Sequence, residues 1–155
     1  MMRMLKRNLY RVINVICVLL LAAATLFVLM RWQQLPEQIP THYNFAGEVD
    51  GYGGKGSLIL LIVMSWIVFF IMTISIRFPE KWNMPVKVTE ENKSRLFAIA
   101  RAMMEAVKFF VTLIFVVLFV SMAAAATVSH WVIIVLTAAV LLTVIVGMAM
   151  MYKCK

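Results

Sequence analysis

One stretch, HYNFAGEVDGYGGK, gathers His42, Asn44, Glu48, Asp50 and Lys55 beside the rings of Tyr43, Phe45 and Tyr52. Three kinds of chemistry are open to such a set. His42, Glu48 and Asp50, joined by His130 from a distant turn, are donor types that zinc or another divalent ion accepts. Their spacing matches no established metal motif, so neither a metal nor another cofactor is assigned. His42 and Asp50 could move protons as an acid–base pair. The same groups could also serve recognition or structure. Tyr43, Phe45 and Tyr52 would offer apolar contact to a ligand and Glu48 or Asp50 would attract a cationic one, or else Asp50 accepts turn N–H groups and His42 bonds a carbonyl.

These residues must be carried by a membrane protein. Of the 155 residues 64% are hydrophobic and only 14% charged, well away from the balance of a soluble domain. Four runs approach the ~20 apolar residues that a spanning helix needs: residues 12–30, 58–76, 109–128 and 131–151. The fold expected is an all-α bundle of four transmembrane helices forming one domain over residues 1–155. A loop at 31–57 and another at 77–108 join the spans. The first run follows Arg3, Lys6 and Arg7 and contains Ala22-Ala23-Ala24, which resembles a signal-peptide cleavage site, but TLFVLM continues the apolar stretch beyond it. It is read as a retained span.

Lys and Arg crowd one side. Arg3, Lys6, Arg7 and Arg11 precede the first span, Arg77, Lys81, Lys87, Lys93, Arg95 and Arg101 separate the second and third, and Lys153 and Lys155 follow the fourth. The opposite side holds Arg31 and Lys55. The positive-inside rule then predicts a multi-pass protein of the bacterial cell membrane with both termini cytoplasmic and the loop at 31–57 outside. The net charge of +8 reflects this asymmetry and contact with anionic membrane lipids, so nucleic acid is not the expected partner.

In the outer loop, Leu35-Pro36 and Ile39-Pro40 impose extended steps. Alternation over Thr41 to Phe45 predicts a short half-buried strand, VDGYG predicts a hairpin-like turn, and the whole should form an ordered lid. On the other side, Pro79 and Pro85 keep the first half of the connecting segment non-helical. Thr89 with Glu90 and Glu91 predicts a helix start, from which one long helix should run into the membrane near Phe109. Glu91 and Arg95 are spaced to pair, and Glu105 and Lys108 are placed largely off its apolar stripe. This helix either snorkels its charges to the headgroups or docks a cytoplasmic partner through Asn83, Glu91, Asn92 and Arg95.

Within the spans as bounded above, no Asp, Glu, His, Lys or Arg lies away from the ends. Intramembrane proteolysis and proton-coupled transport need such groups and are not expected. Asn14, Thr112 and similar residues should bond between helices, and the Trp66 N–H should find Asn14, Thr25 or Thr112.

LPEQIPTHYNFAGEVDGYGGK, followed after one span by FPEKWNMPVKVTEEN and a basic helix, resembles a bacterial domain family of unknown function. That family is best known as the N-terminal half of SdpI-type toxin-immunity membrane proteins. Pro40, His42, Asn44, Gly47, Asp50, Gly51, Lys55, Asn83, Pro85, Glu91 and Asn92 carry the resemblance. It covers about residues 35–101, while the remaining helices agree only in hydropathy. A C-terminal half like that of SdpI-type proteins is not expected among these four spans. The resemblance implies a small immunity or binding module that meets a peptide toxin or lipid-like ligand at its outer face. The alternatives are an accessory or signalling subunit of a larger membrane complex, and an outer-leaflet enzyme using His42 and Asp50. Oligomeric state is left open.

Overall fold

The computed structural model describes residues 2–44, 46, 48–124 and 129–154, with the backbone alone for residues 2–7. Phe45, Gly47 and the expected end of the third span at Val128 lie outside the described residues. Four long helices dominate: α1 (Met2–Arg31), α2 (Gly56–Ser75), α3 (Lys93–Ala123) and α4 (His130–Tyr152). Each is long and apolar enough to cross a membrane, and the chain is a multi-pass membrane protein of all-α class. A two-stranded hairpin, β1 (Gln38–Tyr43) and β2 (Val49–Gly54), joins α1 to α2.

The centre of the fold is α3, which packs on α1, α2 and α4. Cys17, Leu21, Ala24 and Val28 recur at helical spacing on α1 and meet Leu58, Ile62 and Phe69 of α2 and Phe119, Met122 and Ala123 of α3. Leu35 and Ile39 belong to the same cluster, so the hairpin is anchored to the helix ends. Trp66 donates its indole N–H to Thr25 Oγ1 at 3.3 Å and stacks on Phe70. That is one of the three partners expected for it.

At the far end a second cluster joins Leu96 and Ala100 of α3 to Met151 and Cys154, with Trp82, Met84 and Val86 of the connecting segment against it. Thr89 accepts from the Asn92 N–H through its hydroxyl while Asn92 Oδ1 accepts from the Thr89 N–H, at 3.3 and 2.9 Å. This reciprocal pair is a capping box with Asn in the usual Glu position. The regular helix begins at Lys93, which leaves Glu91 in the preceding turn. For that reason the expected Glu91–Arg95 pair does not form, and the ion pair at this helix start is Lys93–Glu90 at 3.5 Å.

Two expectations are corrected. First, VDGYG is not a turn but most of β2, and the reversal lies at residues 44–48. Gly51 and Gly53 serve close strand approach, since a Cβ on Gly51 would lie 2.9 Å from His42 Cβ and one on Gly53 would lie 2.8 Å from Thr41 Cγ2. Second, ionisable groups do lie inside the helix bundle. Glu105 and Lys108 are 4% and 1% exposed. Lys108 Nζ bonds Glu105 Oε2 at 2.8 Å and Asn14 Oδ1 at 2.6 Å, and it lies 5.6 Å from the centre of the Phe69 ring. Phe69 precedes the end of α2 at Ser75 by about 9 Å of helix rise, so the pair sits below the bundle surface. Asn14 makes this possible by offering its oxygen to the ammonium and its amide, at 3.5 Å, to the carboxylate.

Candidate functional site

The hairpin reversal is built by Asn44. Its side-chain oxygen accepts the N–H groups of Ala46 and Glu48 at 2.9 and 3.0 Å, its amide donates to Glu48 Oε2 at 3.0 Å, and its own N–H reaches the Glu48 carbonyl at 2.9 Å. A side chain that satisfies backbone donors in this way substitutes for turn hydrogen bonds. Replacing Asn44 by Ala removes three of these four bonds and should cost about 1–2 kcal/mol of hairpin stability. The measurement is hydrogen exchange at the β1 and β2 amides, which should quicken while that of α3 stays unchanged.

Two bulges around His42 disturb the pairing of β1 with β2 and bring His42 beside Asp50. His42 Nδ1 and Asp50 Oδ1 are 2.5 Å apart. A carboxylate only accepts, which makes Nδ1 the donor and leaves Nε2 for another group. The side chains are 71% and 44% exposed, so the contact contributes little to stability and acts mainly to aim the imidazole. Lys55 at the hairpin exit is fixed otherwise. Its ammonium lies 2.8 Å from Glu37 Oε1 and 5.7 Å from the centre of the Trp32 ring.

Between hairpin, α3 and α4 lies a cavity of about 790 Å³. Its rim is Thr41, His42, Asn44 and Asp50 from the hairpin and His130 from the first turn of α4, and Leu118, Ile133, Ile134 and Leu141 form apolar walls. Tyr43 also lines it, and its hydroxyl is buried with no partner among the described residues. Burial pushes this phenol above the ordinary tyrosine range, and nearby Tyr52 pushes it the same way. A shaped apolar space with a few converging polar groups is the usual form of a small-molecule or peptide-end site.

The structure thus brings together His42, Tyr43, Asn44, Asp50 and His130 from the residues named by sequence. Glu48 is engaged in the turn, Lys55 with Glu37 and Trp32, and Tyr52 stands exposed; none of the three lines this cavity. No group of three or more His, Cys, Asp or Glu residues close enough to hold a metal occurs among the described residues. At the opposite end Asn83 and Glu91 are exposed. The Asn92 amide there is used internally, donating to the carbonyls of Lys87 and Cys154 at 3.0 Å each. Sequence reasoning did not reach the walls of the cavity, Leu118 and the α4 face. They look like ordinary lipid-facing residues until α4 is docked.

A known family model matches the chain over the hairpin and parts of the two helices that carry it. Residues 19–66 match a domain of unknown function, DUF1648. An uncharacterized protein of Archaeoglobus fulgidus is 31% identical over 96 residues, covering 53% of this chain and 51% of that protein. The chain spans about half the length of that relative. No solved structure matches. The DUF1648 match holds the polar rim of the cavity on the hairpin, whereas the α3 and α4 walls lie beyond it.

Proposed function

We propose that the protein is an SdpI-like binding module of the cell membrane. In this reading the hairpin faces outward, both termini are cytoplasmic, and an amphiphilic peptide or lipid-like molecule is taken into the cavity under the hairpin. The observation that carries the reading is the cavity itself, with apolar walls from α3 and α4 below a rim of His42, Asn44, Asp50 and His130. An apolar segment of the ligand would replace lipid or water against Leu118, Ile133 and Leu141. Its polar end would meet Asp50, the imidazoles and the Tyr43 hydroxyl, which has no partner among the described residues. Orientation is supported by the excess of Lys and Arg in the segments on the side of the termini. Immunity to a membrane-active peptide is one use of such a module, because capture at the outer face keeps the peptide from the bilayer.

The test compares cells producing equal membrane amounts of the chain and its variants when challenged with a cationic membrane-active peptide. Asp50→Ala and Ala138→Trp, the second filling the cavity from α4, are expected to abolish protection. Glu80→Ala, at an exposed site on the far side, should leave it intact. Protection that survives Ala138→Trp would refute the cavity as the site. A reading in which the segment around Glu91 docks a partner retains fewer free groups, because the Asn92 side chain is bound within the fold.

A further inference from the structure

We infer that a second site, separate from the hairpin cavity, binds an anionic phospholipid of the leaflet on the side of the termini. A groove of about 760 Å³ runs between α1, α3 and α4 at that end. Three features define its occupant. The first is shape: Ala98, Ala102 and Ala106 recur every four residues along α3 and form a shallow wall, faced by Val146 and Met150 of α4. Small side chains on one face leave room for a linear apolar chain.

The second is length. From Arg95 to Ala106, both lining the groove, α3 rises by about 16 Å, close to half of the ~30 Å hydrocarbon core. The groove lies on the helix Lys93–Ala123, which is itself long and apolar enough to cross a membrane, and its length fits an acyl chain but is too short for a complete spanning helix. The third is charge. Arg95 stands at the headgroup end, exposed, and takes no part in the ion pairs found among the described residues. The Arg95 guanidinium complements a phosphate that carries net negative charge. The carboxylate that lines the groove, Glu105, is neutralised by Lys108 and does not oppose an anion. A chain lying over Glu105 would also exclude water from that pair.

The experiment titrates phosphatidylglycerol and, separately, phosphatidylcholine into the purified full chain and counts bound lipids by native mass spectrometry. Phosphatidylglycerol is expected to be retained several-fold better. Arg95→Gln should weaken its binding roughly fivefold, the factor one basic residue supplies near an anionic surface. Arg77→Gln, exposed but outside the groove, should change nothing. Ala102→Phe, which fills the groove without touching a charge, should displace the lipid. Equal retention of the two lipids, or indifference to both Arg95→Gln and Ala102→Phe, would overturn the site. So would efficient disulfide dimerisation of Ala102→Cys, which would place a second copy in the groove.

Discussion

Lys108→Met is expected to destabilise the folded chain by about 3–5 kcal/mol, a large part of the 5–15 kcal/mol that holds a typical domain together. The size follows from what is left behind. With the ammonium gone, the Glu105 carboxylate would keep only the Asn14 amide, at 3.5 Å, in surroundings that leave the residue 4% exposed. An ionised group held there without its partner has lost its water and gained little in exchange. Glu105→Gln should cost a similar amount by stranding the ammonium between Asn14 and the Phe69 ring.

The double variant Lys108→Met with Glu105→Gln removes both charges and should recover most of the loss, because a buried pair returns little beyond its own desolvation cost. Reversible unfolding of the four proteins in one detergent gives the coupling directly. A double variant whose loss equals the sum of the two single losses would mean that the two groups are not coupled in the fold. The pair is thus expected to specify how α1 and α3 register through Asn14 more than to strengthen their contact.

The second large effect lies at Gly147, where α4 rests on α3. A Cβ there would meet Met103 Sδ at 2.5 Å, Cγ at 2.7 Å and Cβ at 3.0 Å. Ala should gain about 1 kcal/mol from helix propensity, but the overlap reaches the Met103 Cβ, which cannot swing away as the thioether can. Overpacking of this kind costs about 1–3 kcal/mol, so a net loss is expected for Gly147→Ala and a larger one for Gly147→Leu. Because α4 has its main contact with α3, the strain should appear as displacement of α4. Cys154 is 5% exposed in the cluster at the end of that helix, and its alkylation by a maleimide should quicken in Gly147→Leu. Adding Met103→Ala should slow the labelling again. Alkylation at the rate of the parent chain would show that the helices tolerate the side chain.

Much of this organisation is legible from residue order. Four apolar runs determine four spans, since a backbone crossing lipid must satisfy its own hydrogen bonds, and the proline and glycine pattern foretells an ordered connector that is not helical. Thr89 announces a helix start, although its capping partner Asn92 is seen only in the fold, and Trp66 announces its need for an acceptor. The place of the hairpin reversal is not legible in the sequence, because Gly51 and Gly53 look like turn residues. Their function is to let β2 pass close to His42 and Thr41, and that depends on the partner strand.

Glu105 and Lys108 show the same limit more sharply. Along the chain they are charges at the edge of an apolar run and read as solvated. Only the approach of α1 supplies Asn14 at the distance that lets both be buried. Likewise the cavity walls and the lipid-sized groove exist because α4 docks on α3 beside Gly147 and stands apart from α1. Local composition determines which segments leave water, since transfer free energy is additive along the chain. Which polar groups meet inside is decided by contacts between residues far apart in sequence, and those exist only once the helices have packed.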